Sequence, residues 1–486
     1  MMGAIVSISL AQEKSVLTVG SPLLHTVEGL GVEFDPHFLT QNVPAANGTK
    51  ETDWDEVILP RLRRLRPAKM RVMVLPEWYE PTNDNSSPEE TNLSAFHFES
   101  PEMKGLYRLL DFAEEEGIGV TLTFWGTRSG TFLLPEQWPG WMMGPSEYDE
   151  WAENLSVCLR HLLDTKQYSC IREVTPVNEP DWSFSTNQHN QATLYAAMCH
   201  TLDARLRRDG LRERFRMSLS DNSDGGSGTH RFLKACTETL AHEADIFNSH
   251  TYIFGYETPN SRMLEWEREN VRLSEKAKKR HFIGEFGSNQ TVGATIQRDI
   301  DRYERGILMA RIVINMLNAG ASGASYWSLL DQYYSRGEAQ ARSNMQRLGL
   351  WRYLRQEYAS DSIYQHLRED YQPRPQYYAL GLLYRFIQPG STVYPVDTHS
   401  EWVAATALRT AEGKWRYVMA NPTEMEIAIR LENPQAKGRG RLTTYLYEEN
   451  FLPEDDSLPN ASGRVRSRGG KLDITLPSRS VIVLAE

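Results

Sequence analysis

From Gly29 onward, short apolar or β-branched runs alternate with longer segments whose apolar residues recur at helical spacing. This pattern predicts βα units and a parallel sheet. The predicted strands are 30–34, 69–75, 119–125, 172–178, 216–221, 245–252, 281–287 and 323–329. The predicted helices are 53–65, 102–116, 146–163, 191–209, 230–241, 261–279 and 294–317, with a last one at 375–387. Boundary signals support several of them. Thr52 with Asp55 and Ser146 with Asp149 have capping-box spacing, Ser100-Pro101 reads as an N-cap followed by Pro at N1, and Gly117 reads as a helix-ending glycine. Eight such units close most naturally into an α/β fold, a (β/α)8 TIM barrel, whose active site lies at the carboxyl ends of the strands.

After Pro389-Gly390 the texture changes to short alternating runs at 392–396, 402–407, 415–419, 426–431, 442–447, 471–476 and 480–484, separated by turn residues. They predict a C-terminal antiparallel β-sandwich. Runs at 4–10 and 15–19 precede the barrel without helices of their own and are expected to join that sandwich. The division expected is 1–28 for the N-terminal strands, 29–388 for the barrel and 389–486 for the sandwich. No internal repeat is visible.

Composition narrows the partners. The 486 residues carry 53 Lys+Arg against 64 Asp+Glu, a net charge of −11, which argues against a nucleic-acid or polybasic membrane-surface binder. The most apolar helical segment is interrupted by Arg311, so no membrane span is expected and the chain reads as soluble. Met1 to Ala11 lacks a basic start and reads as a strand rather than a secretory signal. Cys158, Cys170, Cys199 and Cys236 have neither metal nor redox spacing, so free buried thiols are expected. No cofactor and no required metal are expected, and the oligomeric state is open.

The chemistry concentrates at strand ends. The fourth strand runs into Asn178-Glu179-Pro180, and the seventh into Gly284-Glu285-Phe286-Gly287. Glu179 and Glu285 then face one cleft across the barrel mouth, where carboxyls about 5–5.5 Å apart suit double displacement at a sugar anomeric centre. On strand one, the period of two puts Glu33, Asp35 and His37 on one face, as a clamp for sugar hydroxyls or a cation site, with the clamp favoured. Trp125, Trp138 and Trp141 lie after strand three, and Trp182 follows Glu179; each either meets a sugar or packs. The stretch from Asp221 to Gly226 reads as a polar substrate loop.

The Asn-Glu-Pro motif and the strand-seven Glu resemble those of clan A glycoside hydrolases. The layout and the tryptophan-rich loop are most similar to family 30, with families 39 and 5 as neighbours. The resemblance implies a glycosidase that hydrolyses oligo- or polysaccharide with retention, Glu179 as acid/base and Glu285 as nucleophile. It further implies Arg71 as the arginine beside the nucleophile, Asn178 as a donor to the sugar 2-hydroxyl, His250 and Tyr252 as the clan's His-x-Tyr, and Trp327 as the floor of the sugar subsite. A transglycosylase using the same residues, or a non-catalytic carbohydrate-binding barrel, are the alternatives.

Overall fold

The computed structural model describes residues 14–39, 53–125, 145, 147–183, 191–223, 229–253, 255–288, 299–333, 345–346, 348–352 and 371–486. After β1 (Ser15–Val19), eight parallel strands close a barrel in chain order. They are β2 (Gly29–Phe34), β3 (Lys69–Val74), β4 (Gly119–Phe124), β5 (Ile171–Thr175), β6 (Arg216–Asn222), β7 (Ile246–Ile253), β8 (Arg280–Ser288) and β9 (Gly323–Tyr326). β9 pairs back on β2 with Gly323 opposite Gly29. Around them run α1 (Leu59–Leu65), α2 (Pro101–Glu116), α3 (Tyr148–Arg160), a short α4 (Pro180–Ser183), α5 (Gln191–Arg208), α6 (Arg231–Thr239), α7 (Asn260–Lys276), α8 (Glu304–Ala319) and α9 (Pro375–Phe386). The TIM barrel expected from the alternation is the fold observed.

The two faces of β3 explain how the barrel is filled. Met70, Val72 and Val74 point outward into the apolar layer shared with the helices. Lys69, Arg71 and Met73 alternate with them and point inward, stacked from floor to mouth. At the floor, Lys69 Nζ donates to both carboxylate oxygens of Glu173, at 2.8 and 2.9 Å, and Thr121 Oγ1 donates to Glu173 at 2.9 Å. Arg216 extends this layer by bonding Glu28 at 2.9 and 2.7 Å. Buried charges persist only when paired in this way.

The second unit is a closed nine-stranded sheet. Two residue pairs, 332–333 and 345–346, form a separate short ladder as β10 and β11. The sheet then comprises β1 with β12 (Thr392–Asp397), β13 (Ala404–Arg409), β14 (Trp415–Asn421), β15 (Ile427–Glu432), β16 (Arg439–Tyr447), β17 (Ala461–Arg468), β18 (Lys471–Leu476) and β19 (Ser480–Ala485). As expected, β1 joins it; the pairing is not wholly antiparallel, because β1 runs parallel to β15 and antiparallel to β12. Strand periodicity divides this unit between two cores. Tyr417, Met419, Ile482 and Leu484 fill its interior. Val418, Ala420, Val481 and Val483 face the barrel's helical layer. This is why α8 is buried on every side: it lies between the barrel and the second sheet, contacting β12, β13 and β14.

Several boundaries move. Helix α3 starts at Tyr148 with Glu147 at the N-cap position, so the Ser146 box is not the start, and Asp53 stands at the N-terminus expected for Thr52. Helix α8 begins at Glu304, ten residues later than expected. The strand expected from Trp402 begins at Ala404. Strand β17 is new: its arginine-rich, exposed sequence has no apolar alternation, and it is held by pairing with β16 and β18. Ser100 does cap α2, accepting from Met103 N at 3.2 Å, and Gly117 ends it at φ 69°. The run 4–10 lies outside the described residues. All four cysteines are free and buried. No helix among the described residues is long and apolar enough to cross a membrane.

Burial opposes ionisation of Glu28, but the Arg216 hydrogen bonds, with the charges of Lys69 and Arg280, hold its carboxyl down at about 2. A carboxyl lowered on folding stabilises above its unfolded value and loses that contribution as protons fill it. Stability is therefore expected to fall as pH drops from the ordinary value of 4.5 towards 2. In Arg216→Met this acid-dependent loss should shrink, read by urea unfolding at stepped pH; an unchanged pH slope would remove Glu28 as its source.

Candidate active site

The mouth of the barrel is organised by Arg71, which projects from the middle of β3 and is 1% exposed. Its Nη1 donates to Glu33 Oε2 at 2.7 Å and to Glu285 Oε1 at 2.6 Å. Its Nη2 donates to Asn178 Oδ1 at 2.7 Å and to Asp221 Oδ2 at 2.8 Å. One guanidinium thus ties together β2, β6, β8 and the turn that follows β5.

Local irregularities aim the acids inward. In β8, Ile283 pairs with Ser249 and Glu285 with His250, so Gly284 is an extra residue in the ladder. Such a bulge turns two consecutive residues to one face. Gly284 is required there, since a Cβ would sit 2.8 Å from Asn248 Oδ1 and 3.0 Å from Asp221 Oδ1. A second irregularity in β6, with Ser220 and Asp221 at φ 79° and 46°, turns Asp221 into the barrel. Glu179 itself adopts φ 41°, a costly conformation for a side chain of its size. Backbone bonds hold it, from Glu179 N to Asp221 O at 3.1 Å and from Asn178 N to Phe124 O at 3.1 Å.

His250 stands between the two glutamates. Its Nδ1 is 2.9 Å from Glu179 Oε1 and 3.3 Å from Glu285 Oε2, and its Nε2 is 3.1 Å from Asp221 Oδ1. Oxygens of Glu179 and Glu285 lie within 4.8 Å of each other. Tyr252 OH donates to Glu285 Oε2 at 2.6 Å. Both carboxylate oxygens of Glu285 are therefore held, one by Arg71 and the other by Tyr252 and His250.

The electrostatics follow from five acidic side chains meeting two cations. Burial opposes charge on His250, yet Glu285 and Asp221 hold the imidazole well above its ordinary value, as imidazolium. Asp221 stays low despite burial because Arg71 and His250 flank it. Burial pushes Glu285 above the usual carboxylate value, with His250 and Arg71 pulling it back only in part. Burial also pushes Glu33 and Asp35 well above the carboxylate range.

Glu179, Glu285, Arg71, Asn178, His250 and Tyr252 are thus brought together as expected. Trp125 and Trp327 stack with centroids 6.1 Å apart and planes 18° from parallel, backed by Met73 and Leu348. Asp35 faces the same centre, interacting electrostatically with Arg71 and Glu285, and neither of its buried carboxyl oxygens has a hydrogen-bond partner among the described residues. His37 does not continue the strand: Pro36–Leu39 is a 3-10 turn, which ends the period of two. The side chains of His37 and Trp182, and all of Trp138 and Trp141, lie outside the described residues. Two further acids join the site. Asp221, expected to begin a substrate loop, is a wholly buried strand residue, and Glu33, from the acidic face of strand one, pairs with Arg71.

No family model and no curated relative matches the chain. Solved structures share its fold. A GH30 endoxylanase from Clostridium papyrosolvens C71 superposes at TM-score 0.64 and 13% identity, covering 97% of this chain and 99% of that one. GH30 xylanase C from Talaromyces cellulolyticus gives 0.63 at 16% identity over 97% and 99%. The endo-β1,6-glucanase BT3312 gives 0.64 at 13% over 98% and 94%, and a family 39 glycoside hydrolase from Bacteroides cellulosilyticus WH2 gives 0.54 at 13% over 95% and 81%. The barrel and second sheet together thus form the architecture of these glycoside hydrolases.

Removing one member of a buried ion network leaves the others uncompensated. Arg71→Met is expected to destabilise the chain by about 3–5 kcal/mol in urea unfolding at neutral pH. A loss below about 1 kcal/mol would mean that the four acceptors do not depend on this guanidinium.

Proposed function

We propose that the chain is a retaining glycoside hydrolase that cleaves β-linked oligo- or polysaccharide by double displacement. The observation that carries this reading is the approach of Glu179 and Glu285 to within 4.8 Å at the mouth of the barrel. Retaining enzymes hold their two carboxyls about 5–5.5 Å apart, whereas inverting ones leave about 6.5–9.5 Å for a water. The shared architecture with GH30 xylanases and an endo-β1,6-glucanase supports a carbohydrate substrate. In this reading residues 29–388 carry the chemistry, while 1–28 and 389–486 form the supporting second unit.

Glu285, oriented at both oxygens, attacks the anomeric carbon while Glu179 protonates the leaving oxygen. Water deprotonated by Glu179 then releases the sugar with retained configuration. His250 Nδ1, at 2.9 Å from Glu179 Oε1, donates to that carboxyl and fixes its direction. Arg71 engages the Asn178 carbonyl oxygen and so fixes the plane of the amide that addresses the sugar 2-hydroxyl. Trp327, backed by Trp125, offers an indole face to the sugar C–H bonds. Asp35, kept neutral by burial, is suited to donate to a ring hydroxyl.

A panel of aryl β-D- and α-L-glycosides and polysaccharides tests the assignment. Release of one sugar, abolished in Glu285→Gln, is the expected outcome. Glu179→Ala should lose about 10²–10⁴-fold in turnover and be rescued by azide on an activated aryl glycoside. Glycan binding without turnover in the unaltered protein would instead make the barrel a binding module.

The raised Glu285 carboxyl sets a second expectation. Its deprotonated form is the nucleophile, so the acid limb of kcat/KM should lie above the ordinary value of 4.5. Tyr252→Phe removes a donor that favours the carboxylate and should move that limb to higher pH; a limb that stays put would exclude Glu285 as its origin.

A further inference from the structure

Outside the mouth, the loop after β3 and the first turns of α3 enclose a separate acidic cluster of Glu80, Asp84, Glu150 and Glu153. Oxygens of Asp84, Glu150 and Glu153 lie within 4.8 Å of one another. Glu150, Glu153 and Asn154 share one face of α3 through i, i+3 and i+4 spacing. Glu80, Glu150 and Glu153 are only 2%, 7% and 2% exposed, a costly burial of like charges.

Neighbouring donors satisfy part of the cluster. Asn154 Nδ2 donates to Glu80 Oε2 at 2.7 Å and Asp84 N to Glu80 Oε1 at 3.0 Å. Thr91 Oγ1 donates to Glu153 Oε1, and Asn85 Nδ2 and Asn92 N to Asp84 Oδ2. Arg205, on α5, exerts a field on Glu153 but directs its own hydrogen bonds to Asp209 Oδ2 and Pro88 O. The independent sign of a ligand is Glu150. Its nearly fully buried carboxyl turns into the cluster, where it interacts with Asn83 and Glu153, yet no donor among the described residues satisfies its Oε2. Asp84 Oδ1 and Asn83 Oδ1 are buried and unpartnered in the same way.

We propose that this is a calcium site, with Asp84, Glu150 and Glu153 as carboxylate ligands and Asn83 and water completing the shell. Oxygen-only donors with several carboxylates suit a hard divalent cation. Calcium accepts six to eight oxygens in irregular geometry, whereas magnesium demands a near-ideal octahedron and keeps most of its water. The ion clamps the loop after the second barrel strand onto α3, and the proposal stands apart from the reaction assigned to the mouth. No sequence motif announces it, because its ligands come from two segments more than sixty residues apart.

The test uses the full chain, stripped with a chelator and dialysed at pH 8, with calcium chloride titrated by calorimetry and thermal unfolding followed in parallel. Saturable binding of one ion per chain and a rise of several degrees in Tm are expected, with magnesium markedly weaker. The double substitution Asp84→Asn, Glu150→Gln should abolish both responses. Should that variant not fold, terbium luminescence sensitised by the adjacent Tyr79 and Trp151, and quenched by competing calcium, reads the site in the unaltered chain. No saturable calcium or terbium signal up to about 10 mM, beyond the weakest ordinary sites, overturns the proposal. So does an undiminished calcium response in the double variant.

Discussion

The mouth of the barrel depends on one buried guanidinium. Arg71 offers two terminal nitrogens in a rigid plane, and each bridges two oxygens contributed by different parts of the barrel. A lysine in its place would present a point charge without that fixed fork, and the four acceptors would lose their common reference. The desolvation of Arg71 is large, so it is tolerated only because Asp221, Glu33 and Glu285 surround it. The dependence runs both ways: these acids also need Arg71. Glu285 is thus held directly by Arg71, and Glu179 indirectly, through its backbone bond to the Asp221 that Arg71 anchors.

This arrangement is possible because the barrel strands separate two kinds of interior. Their outward faces meet the helices through an apolar layer that includes Val72, Leu122, Val174, Leu219 and Phe247. Their inward faces carry a paired polar column from Lys69 and Glu173 at the floor to Arg71 and Glu285 at the mouth. A purely apolar barrel would avoid the desolvation cost of the column. What the polar column provides is direction, since hydrogen bonds fix angles that apolar contacts leave loose.

Much of this was legible in the sequence because it depends on periodicity and strand-end chemistry. The alternation in Lys69-Met70-Arg71-Val72-Met73-Val74 already separates the two faces of β3. Asn178-Glu179-Pro180 and Gly284-Glu285 are short motifs whose function depends only on where their strands end. The parts that escaped depend on departures from regularity. Asp221 looked like the first residue of a polar loop, and it enters the site because β6 is irregular at Ser220 and Asp221. His37 looked like the third residue of one strand face, but Pro36 opens a turn first. Glu33 stands on the inward face of β2, and its partner sits opposite on β3, a contact that the register between these two strands decides. Strand β17 has no apolar pattern to read, so its neighbours define it.

The imbalance of charge at the mouth bears directly on the proposed chemistry. Glu33, Asp35, Glu179, Asp221 and Glu285 face the cations Arg71 and His250, so full ionisation would leave a net negative pocket in a poorly solvated place. Burial first, and the charges of neighbouring acids after it, raise the carboxyls of Glu33, Asp35 and Glu285. Glycoside cleavage passes through a sugar carrying developing positive charge. The carboxylate of Glu285, once ionised, interacts more favourably with that transition state than with a neutral sugar, which is the differential binding that accelerates a reaction. In this reading, crowding acids around two cations orients the nucleophile and favours the positive charge that develops on the sugar beside it.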